Sequence, residues 1–343
     1  MPELPEVETV RAGLARHLTG RVVDRIEVLD ARVLRQHEGG AEAFMQQLAG
    51  RTFTAAVRRG KFLWLPLDDG NALVAHLGMS GQLLVHGTAA RTADAAARAA
   101  HAREYLGDPE AAHPDLTATR APQPPADSSA RPRHLRVRLH LRPAPGDAPD
   151  GAALDLVDQR MFGGLHLSAL VPTADGAPGG VGSPAPLIPA TVTHIARDLL
   201  DPHLDRVAVV AKLRRSSRAI KTLLMDQTLV SGVGNIYADE GLWAARLHGR
   251  RRGNQIGPRV AARLLDATGE VMERALAAGG TSFDALYVDA DGAAGFFARS
   301  LAVYGRAGQP CRRCGTALRT ETIGGRSHVF CPRCHTRPRN RRA

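Results

Sequence analysis

The arrangement of four cysteines constrains the fold of this 343-residue chain more than any other feature. They form two C-x2-C pairs, Cys311 with Cys314 and Cys331 with Cys334, separated by sixteen residues. Each pair can lie on a tight turn that directs two thiolates at one tetrahedral ion, and the spacer is long enough for a β-hairpin. Two disulfides or free thiols are the alternatives. We expect one structural Zn2+ saturated by the four thiolates, because disulfides are rare in the cytosol. His335 is surplus to such a site.

The chain is strongly basic, with a net charge of +11 and an isoelectric point near 10.4. Five basic residues and no acid lie between Lys212 and Lys221, and ten arginines lie from Arg306 onward beside one acid, Glu321. Such clusters favour a polyanionic partner, either nucleic acid or an acidic membrane surface. The presence of two clusters in one basic protein makes nucleic acid the preferred interpretation.

The sequence gives no sign of a membrane span or a secretory signal. Uninterrupted apolar runs, such as residues 207–211, are far too short to cross a bilayer. The N-terminal segment MPELPEVE is acidic and lacks the basic-then-apolar order of a signal peptide. We therefore expect a cytoplasmic protein with no membrane partner.

Hydrophobic periodicity predicts a sheet-rich first half. The spacing of Val7, Val10, Leu14 and Leu18 predicts one helix near the N-terminus. Short runs rich in β-branched and apolar residues then predict strands at residues 21–84, 135–141 and 154–167.

The remaining segments differ in composition. Residues 87–132 are rich in Ala, Pro and small polar residues, and we expect a mostly disordered insertion there. The Pro/Gly-rich stretch 172–189 is typical of a connector. Residues 194–278 have helical periodicity, interrupted by the segment TLVSGVGN, whose glycines permit a tight turn.

The second residue offers an unusual nucleophile. Removal of the initiator Met would expose the secondary amine of Pro2, with acids following at Glu3 and Glu6. Such an amine can attack a sugar C1′ and form an iminium. Taken alone, MPELPE is a weak signal, because Pro and Glu are common near helix starts.

Seven segments occur together and in order: MPELPEVETVRAGL, RRGKFLW, HLGMSG, DQRMFGG, LLMDQTLVSGVGNIYADE, VYGRAGQPC and the paired C-x2-C motifs. In combination they closely resemble the bacterial formamidopyrimidine-DNA glycosylase family over residues 1–86 and 133–335. The resemblance implies an α+β multidomain fold. Its parts are an N-terminal β-sandwich with one N-terminal helix, a helix–two-turn–helix domain and a C-terminal four-cysteine zinc ribbon.

The resemblance also implies domain boundaries and an activity. We expect a catalytic domain at residues 1–171, a linker at 172–190, a DNA-binding domain at 191–299 with a lesion loop at 279–297, and a zinc ribbon with a basic tail at 300–343. The implied partner is double-stranded DNA containing an oxidised base, which is flipped out of the helix. The implied reaction is excision of 8-oxoguanine or formamidopyrimidines through a Schiff base on Pro2, then β,δ-elimination, by a monomer.

Roles follow residue by residue from the same resemblance. Pro2 matches the Schiff-base nucleophile and Glu3 the acid that protonates the sugar ring oxygen. Lys61 matches a phosphate-contacting proton donor, and Arg306 the residue assigned to δ-elimination. Three residues match those that fill the space left by the flipped base, namely Met79, Arg160 and Phe162. Three further residues are expected to contact DNA, namely His134, Asn235 and Lys221.

Departures from the common family pattern occur at Gln159, Met161 and Ser217. The closest alternative function is that of an endonuclease VIII-like glycosylase for oxidised pyrimidines. PELPE in place of PEGPE, together with the Met–Arg–Phe set, favours the purine enzyme. A non-catalytic zinc-ribbon DNA-binding protein is the other alternative, and the presence of Pro2, Glu3 and Lys61 argues against it.

Overall fold

The computed structural model describes residues 2–88, 132–148, 151–281, 290–291, 295 and 297–335. The chain forms two compact units: the first comprises Met1–Thr193 with Leu276–Ala298, and the second comprises His194–Ala275 with Arg299–Ala343. Most of the expected insertion at 87–132, much of the expected loop at 279–297 and the end of the basic tail lie outside the described residues.

Helix α1, Leu4–Leu18, begins the first unit. It includes Pro5, because proline can occupy the first turn of a helix without removing a helical hydrogen bond. Its apolar face is buried as the helical spacing predicted, through Val7, Val10, Leu14 and Leu18.

Two antiparallel sheets form the body of the first unit. The four-stranded sheet contains, in spatial order, β1 (Val23–Val28), β6 (Leu135–Leu141), β7 (Ala152–Asp158) and β5 (Gly81–His86). The five-stranded sheet contains, in spatial order, β2 (Val57–Arg59), β3 (Phe62–Pro66), β4 (Asn71–His76), β8 (Gly164–Pro172) and β9 (Leu187–Pro189). Helix α2 (Gly40–Leu48) and 3-10 turns at Ala31–Leu34 and Ala190–Val192 accompany the sheets.

The core of this unit is shared by both sheets and α1. Leu63 of β3 and Val137 of β6 are fully buried in one apolar cluster that also contains Leu14. The predicted β-sandwich with one N-terminal helix is therefore confirmed. Ala290, which lies within the expected loop at residues 279–297, belongs to the same cluster.

From residue 194 onward the elements are mainly helical. They are α3 (Arg206–Arg215), α4 (Ile220–Leu224), α5 (Asn235–Ala244), α6 (Pro258–Ala277), 3-10 turns at Gly253–Gln255 and Phe297–Ser300, and the antiparallel hairpin of β10 (Arg319–Ile323) and β11 (Arg326–Phe330). None of the helices in the described part of the chain combines the length and apolarity that a membrane crossing requires.

Glu240 of α5 holds the segment that leads into the cysteine hairpin. Its carboxylate accepts hydrogen bonds from the backbone amides of Ala302 (2.8 Å), Val303 (2.8 Å) and Tyr304 (2.9 Å). Burial raises the pKa of Glu240 above its ordinary value, and the three amide donors oppose that rise. Because an irregular segment cannot satisfy its own amides, this buried carboxylate supplies the acceptors.

Glu240→Gln is expected to lower the free energy of unfolding by about 1–3 kcal/mol, because the amide nitrogen that replaces one oxygen would face a backbone N–H donor. Urea unfolding followed by circular dichroism measures the change. Glu273→Gln, at an exposed position of α6, is the matched control and should leave the unfolding midpoint unchanged. Equal midpoints for the two variants would contradict this role of Glu240.

Candidate active site and DNA-contacting residues

The residues that begin the described chain are buried at the start of α1. Pro2 is buried, and Glu3, the N-cap of α1, is only 3% exposed. Glu6 accepts a hydrogen bond from the backbone N of Glu3 through Oε2 at 2.9 Å, and from the backbone N of Thr281 through Oε1 at 2.8 Å. The buried Glu6 carboxylate therefore fixes the backbone beside Pro2 and joins it to residue 281.

Lys61 occupies the turn between β2 and β3, directly after Gly60 with its φ of 57°. The lysine is 8% exposed. Burial lowers the pKa of His76 at the end of β4, and the positive charges of Arg35 and Lys61 lower it further. His76 Nδ1 accepts a hydrogen bond from the backbone N of Gly78 at 3.1 Å. A neutral His76 therefore lies within electrostatic reach of Lys61, just before the turn that carries Met79.

Two large apolar side chains of the first unit are exposed beside a cation. Phe162 is 49% exposed and Met79 is 36% exposed, and Arg160 is also exposed. Met161, between Arg160 and Phe162, has a φ of 61°, in the left-handed region that few non-glycine residues adopt. Exposed Met and Phe beside an arginine have the chemistry of a wedge that enters a base stack.

His134 precedes β6 and is half-buried. Its φ is 67°, and its carbonyl oxygen accepts a hydrogen bond from the backbone N of Asp158 at 3.0 Å. Burial lowers the pKa of His134, and Arg133 and Arg136 lower it further. The ring is accordingly a neutral hydrogen-bonding group in a basic neighbourhood at neutral pH.

Asn235 is the first residue of α5 in the second unit. Its Nδ2 donates to Ser327 Oγ at 3.2 Å. The preceding loop is organised by Gln227, whose Nε2 donates to the carbonyl of Val233 at 3.0 Å and whose Oε1 accepts from the backbone N of Gly232 at 2.9 Å. The two-turn segment therefore presents Asn235 at a helix N-terminus, where backbone N–H groups favour anions.

Arg306 is held by the segment around it. Its guanidinium donates to the carbonyl oxygens of Ala302 at 2.7 Å and Pro310 at 3.1 Å, and to Gln309 Oε1 at 3.0 Å. Burial lowers the pKa of Arg306, and the charge of Arg312 adds to the effect. An arginine keeps its proton at neutral pH even so, and the side chain is a positioned cation.

Lys221 was predicted to contact DNA, but its side chain lies in the interior of the second unit. The side chain is fully buried in the second unit, and its Nζ donates to Asp239 Oδ1 at 2.7 Å and to the carbonyl of Ser327. The same Asp239 oxygen lies 2.6 Å from His328 Nδ1. A buried ammonium needs such a paired partner and cannot also reach a phosphate, so Lys221 joins α4, α5 and the hairpin.

The four cysteines converge in the second unit. Their sulfur atoms lie within 4.8 Å of one another, and none forms a disulfide. Cys314 Sγ is 3.5 Å from the sulfur atoms of both Cys331 and Cys334. Zn–S bonds of about 2.3 Å in a tetrahedron place the ligands roughly 3.8 Å apart. The cluster therefore fits the one structural zinc ion that the cysteine spacing predicts, with β10 and β11 as the hairpin between the pairs.

Sequence reasoning missed two polar residues next to the exposed wedge. His76 and Asp158 are the first residues of the motifs HLGMSG and DQRMFGG, and each ends an apolar strand. The signal was a polar residue at the last position of a strand, immediately before a turn that carries a functional side chain. The contact of Asp158 with Ser80 could not be derived, because Ser80 lies on a different turn, 78 residues away in the sequence.

Comparison with protein families assigns three successive segments of the chain. Residues 1–165 match the formamidopyrimidine-DNA glycosylase N-terminal domain, and residues 195–286 match the formamidopyrimidine-DNA glycosylase H2TH domain. Residues 308–337 match a zinc finger found in FPG and IleRS. These matches cover both units and the cysteine hairpin, and they confirm the resemblance inferred from the motifs.

Relatives that match over the whole chain belong to the same family as these domain matches. The chain is 47% identical over 339 residues to the formamidopyrimidine-DNA glycosylase of Leifsonia xyli subsp. xyli, covering 97% of this chain and 99% of the relative. It is also 47% identical to that of Salinispora arenicola, over 99% of this chain and 98% of the relative.

Solved structures agree as well. The fold is similar to Lactococcus lactis Fpg in complex with DNA containing an abasic site, with a TM-score of 0.70, 27% identity, and coverage of 98% of this chain and 100% of that chain. The complex of the same protein with FAPY-dG-containing DNA gives a TM-score of 0.70 at the same identity and coverage. The chain therefore belongs to the formamidopyrimidine-DNA glycosylase family.

Proposed function

We propose that this protein is a bifunctional DNA glycosylase and AP lyase that excises oxidised purines from duplex DNA, with the amine of Pro2 as nucleophile. The family and its full-length relatives support the glycosylase activity. The Lactococcus lactis structures contain abasic or FAPY-dG DNA, which supports this substrate class. The observation that carries the proposal is the burial of Pro2 and Glu3 at the start of α1, with the adjoining backbone held by Glu6.

Base excision is the first half of the reaction. After removal of Met1, the nitrogen of Pro2 attacks C1′ of the flipped nucleotide, and the bonding electrons of the glycosidic bond leave with the base, which is protonated. Glu3 donates a proton to the ring oxygen O4′, the sugar opens, and the Pro2 nitrogen loses its own proton to give an iminium to C1′. The covalent intermediate divides one difficult bond cleavage into easier steps.

Strand cleavage is the second half. Loss of a proton from C2′ expels the 3′ phosphate by β-elimination, and a further proton loss expels the 5′ phosphate by δ-elimination. Lys61 contacts phosphate beside the lesion and supplies a proton. Arg306 stabilises the phosphate that leaves in the δ step, and hydrolysis of the iminium frees Pro2. The product is a one-nucleotide gap with phosphate at both ends.

DNA is held through its phosphates and its base stack. His134 and Asn235 contact phosphates, which fixes the register of the duplex without reading sequence. Met79, Arg160 and Phe162 occupy the space that the everted base leaves. The zinc ion supplies structural support for the hairpin and no chemistry.

The organisation of the chain follows the same proposal. The catalytic domain spans residues 1–171, the linker 172–190, the helical DNA-binding domain 191–299 with a lesion loop at 279–297, and the zinc ribbon and tail 300–343. The protein acts as a monomer in the bacterial cytoplasm, associated with the nucleoid. Cytoplasmic action is consistent with four cysteines that form no disulfide.

Borohydride trapping on a panel of duplexes tests the activity. With borohydride the wild-type protein should form a covalent adduct with a duplex that carries 8-oxoguanine opposite C, because the reduced iminium is stable, and without borohydride it should leave a nicked strand. It should act much more slowly on thymine glycol. A variant with one extra residue before Pro2 should bind the duplex but form no adduct, since its nitrogen is then an amide. If the wild-type protein binds the duplexes but forms no adduct, the non-catalytic DNA-binding alternative is correct. If it prefers thymine glycol to 8-oxoguanine, the endonuclease VIII-like alternative is correct.

Measurement of the zinc content tests the prediction that the four cysteines hold one structural zinc ion. The wild-type protein should contain one zinc per chain, and Cys314→Ser should lose it together with affinity for duplex DNA, because three thiolates hold the ion poorly. His335→Asn is the matched control beside Cys334 and should retain the metal. Zinc loss in His335→Asn with retention in Cys314→Ser would show that the ligand set is wrong.

A further inference from the structure

The two turns that carry the wedge residues meet at one buried carboxylate. Asp158 ends β7 and is fully buried, with 0% of its surface accessible to solvent. Its Oδ1 accepts hydrogen bonds from Ser80 Oγ at 2.6 Å and from the backbone N of Arg160 at 3.1 Å. Its Oδ2 accepts from the backbone N of Gly163 at 2.7 Å. One side chain therefore binds the residue after Met79 and both ends of the Arg160–Phe162 turn.

The two turns also contact each other directly. The backbone N of Arg160 lies 3.2 Å from Ser80 Oγ. A Cβ added to Gly78 would lie 2.5 Å from the backbone carbon of Phe162 and 2.6 Å from the backbone N of Gly163. Glycine is required there by this close approach and by its φ of 59°. Met79 and Phe162 are therefore presented by one packed assembly of two turns.

Arg35 closes the same turn from its other side. Its guanidinium donates to the carbonyl oxygens of Phe162 and Gly163, each at 2.9 Å. The amides of the turn thus face the Asp158 carboxylate while its carbonyls face a cation. Such complementary charge satisfies an irregular segment that has no strand or helix partner of its own.

The backbone of Asp158 also forms a hydrogen bond with His134, a candidate DNA-contacting residue. Its N–H donates to the carbonyl of His134 at 3.0 Å, and its carbonyl accepts from Arg136 Nε at 2.8 Å. His134 has a positive φ, which a non-glycine residue keeps only when its surroundings hold it. The position of His134 therefore depends on the same residue as the two turns.

We propose that Asp158 is a positioning residue that preassembles Met79, Arg160 and Phe162 into one rigid wedge and thereby sets discrimination of the base opposite the lesion. The inference rests on the proposed function of these three residues. Exposed apolar side chains on unconstrained turns would fold back onto the surface. The free-energy cost of ordering the turns would then weaken DNA binding. With the turns fixed beforehand, Arg160 meets the unpaired base in one defined orientation.

Asp158→Asn tests the inference, with Asp155→Asn as the matched control. In Asp158→Asn the new NH2 group must face either the amide of Gly163 or that of Arg160, so one end of the Arg160–Phe162 turn loses its acceptor. Asp155 lies on the same strand, is equally buried and pairs with Arg138 at 2.7 Å, but the contacts of its carboxylate are to Arg138 and His86 rather than to either turn.

Single-turnover excision of 8-oxoguanine opposite C should slow about ten- to a hundredfold in Asp158→Asn, because a buried acceptor of several donors is lost. The ratio of rates opposite C and opposite A should shrink. Borohydride trapping on a single-stranded abasic site should stay at the wild-type level, because no base is flipped and no space is filled. Asp155→Asn should keep the wild-type ratio even where it lowers thermal stability, and Ser80→Ala should shift the ratio in the same direction as Asp158→Asn.

A wild-type C-to-A ratio in Asp158→Asn, or equal losses on the duplex and single-stranded substrates, would overturn the inference and leave Asp158 a purely structural residue. If Asp158→Asn does not fold, the ratio of excision rates opposite C and opposite A is measured for Ser80→Ala instead. A wild-type ratio in that variant would overturn the inference. Absence of any trapped adduct with the wild-type protein is a separate result that contradicts the proposed function itself.

Discussion

Backbone amides in irregular segments need acceptors, and in this protein buried carboxylates supply them at the start of α1, at the Arg160–Phe162 turn and ahead of Arg306. Glu6 accepts the amides of Glu3 and Thr281, which fixes the start of α1. Asp158 accepts the amides of Arg160 and Gly163. An ionised acceptor makes such hydrogen bonds shorter and stronger than a neutral one. Each segment is thereby held in place without belonging to a helix or a strand.

In the second unit, buried carboxylates likewise accept hydrogen bonds from backbone amides in and before the cysteine hairpin. Glu240 accepts three successive amides ahead of Arg306, and Asp239 accepts the backbone N of Val329 at 2.9 Å besides pairing with Lys221. Two adjacent acids of α5 therefore position the segment that leads into the cysteine hairpin and the strand β11 within it. The zinc ion and these carboxylates restrain the same short hairpin, which is too small to bury a core of its own.

The sequence predicted the parts whose cause is local. The spacing of Cys311, Cys314, Cys331 and Cys334 requires no tertiary information to indicate a metal site, and the periodicity of α1 identifies its buried face. The motifs identified the family and hence the candidate residues. Met79 and Phe162, the candidate wedge residues, are exposed.

What the sequence could not supply is the choice of partner for a buried charge. Lys221 lies in a basic cluster, so it was assigned to DNA, yet it is buried against Asp239, eighteen residues further along the chain. Asp158 and Ser80 are separated by 78 residues and meet only because β5 and β7 are neighbours in the sheet. Composition and periodicity carry no signal for such pairs, because the pairing depends on the order of strands in space.

The central claim is that the nitrogen of Pro2 forms the bond to the sugar, and mass spectrometry tests it most directly. The intact mass of the active protein should correspond to a chain without Met1. Peptide mapping after borohydride reduction should locate the DNA-derived mass on the peptide that begins at Pro2. Retention of Met1 in fully active protein, or an adduct on Lys61, would contradict the account.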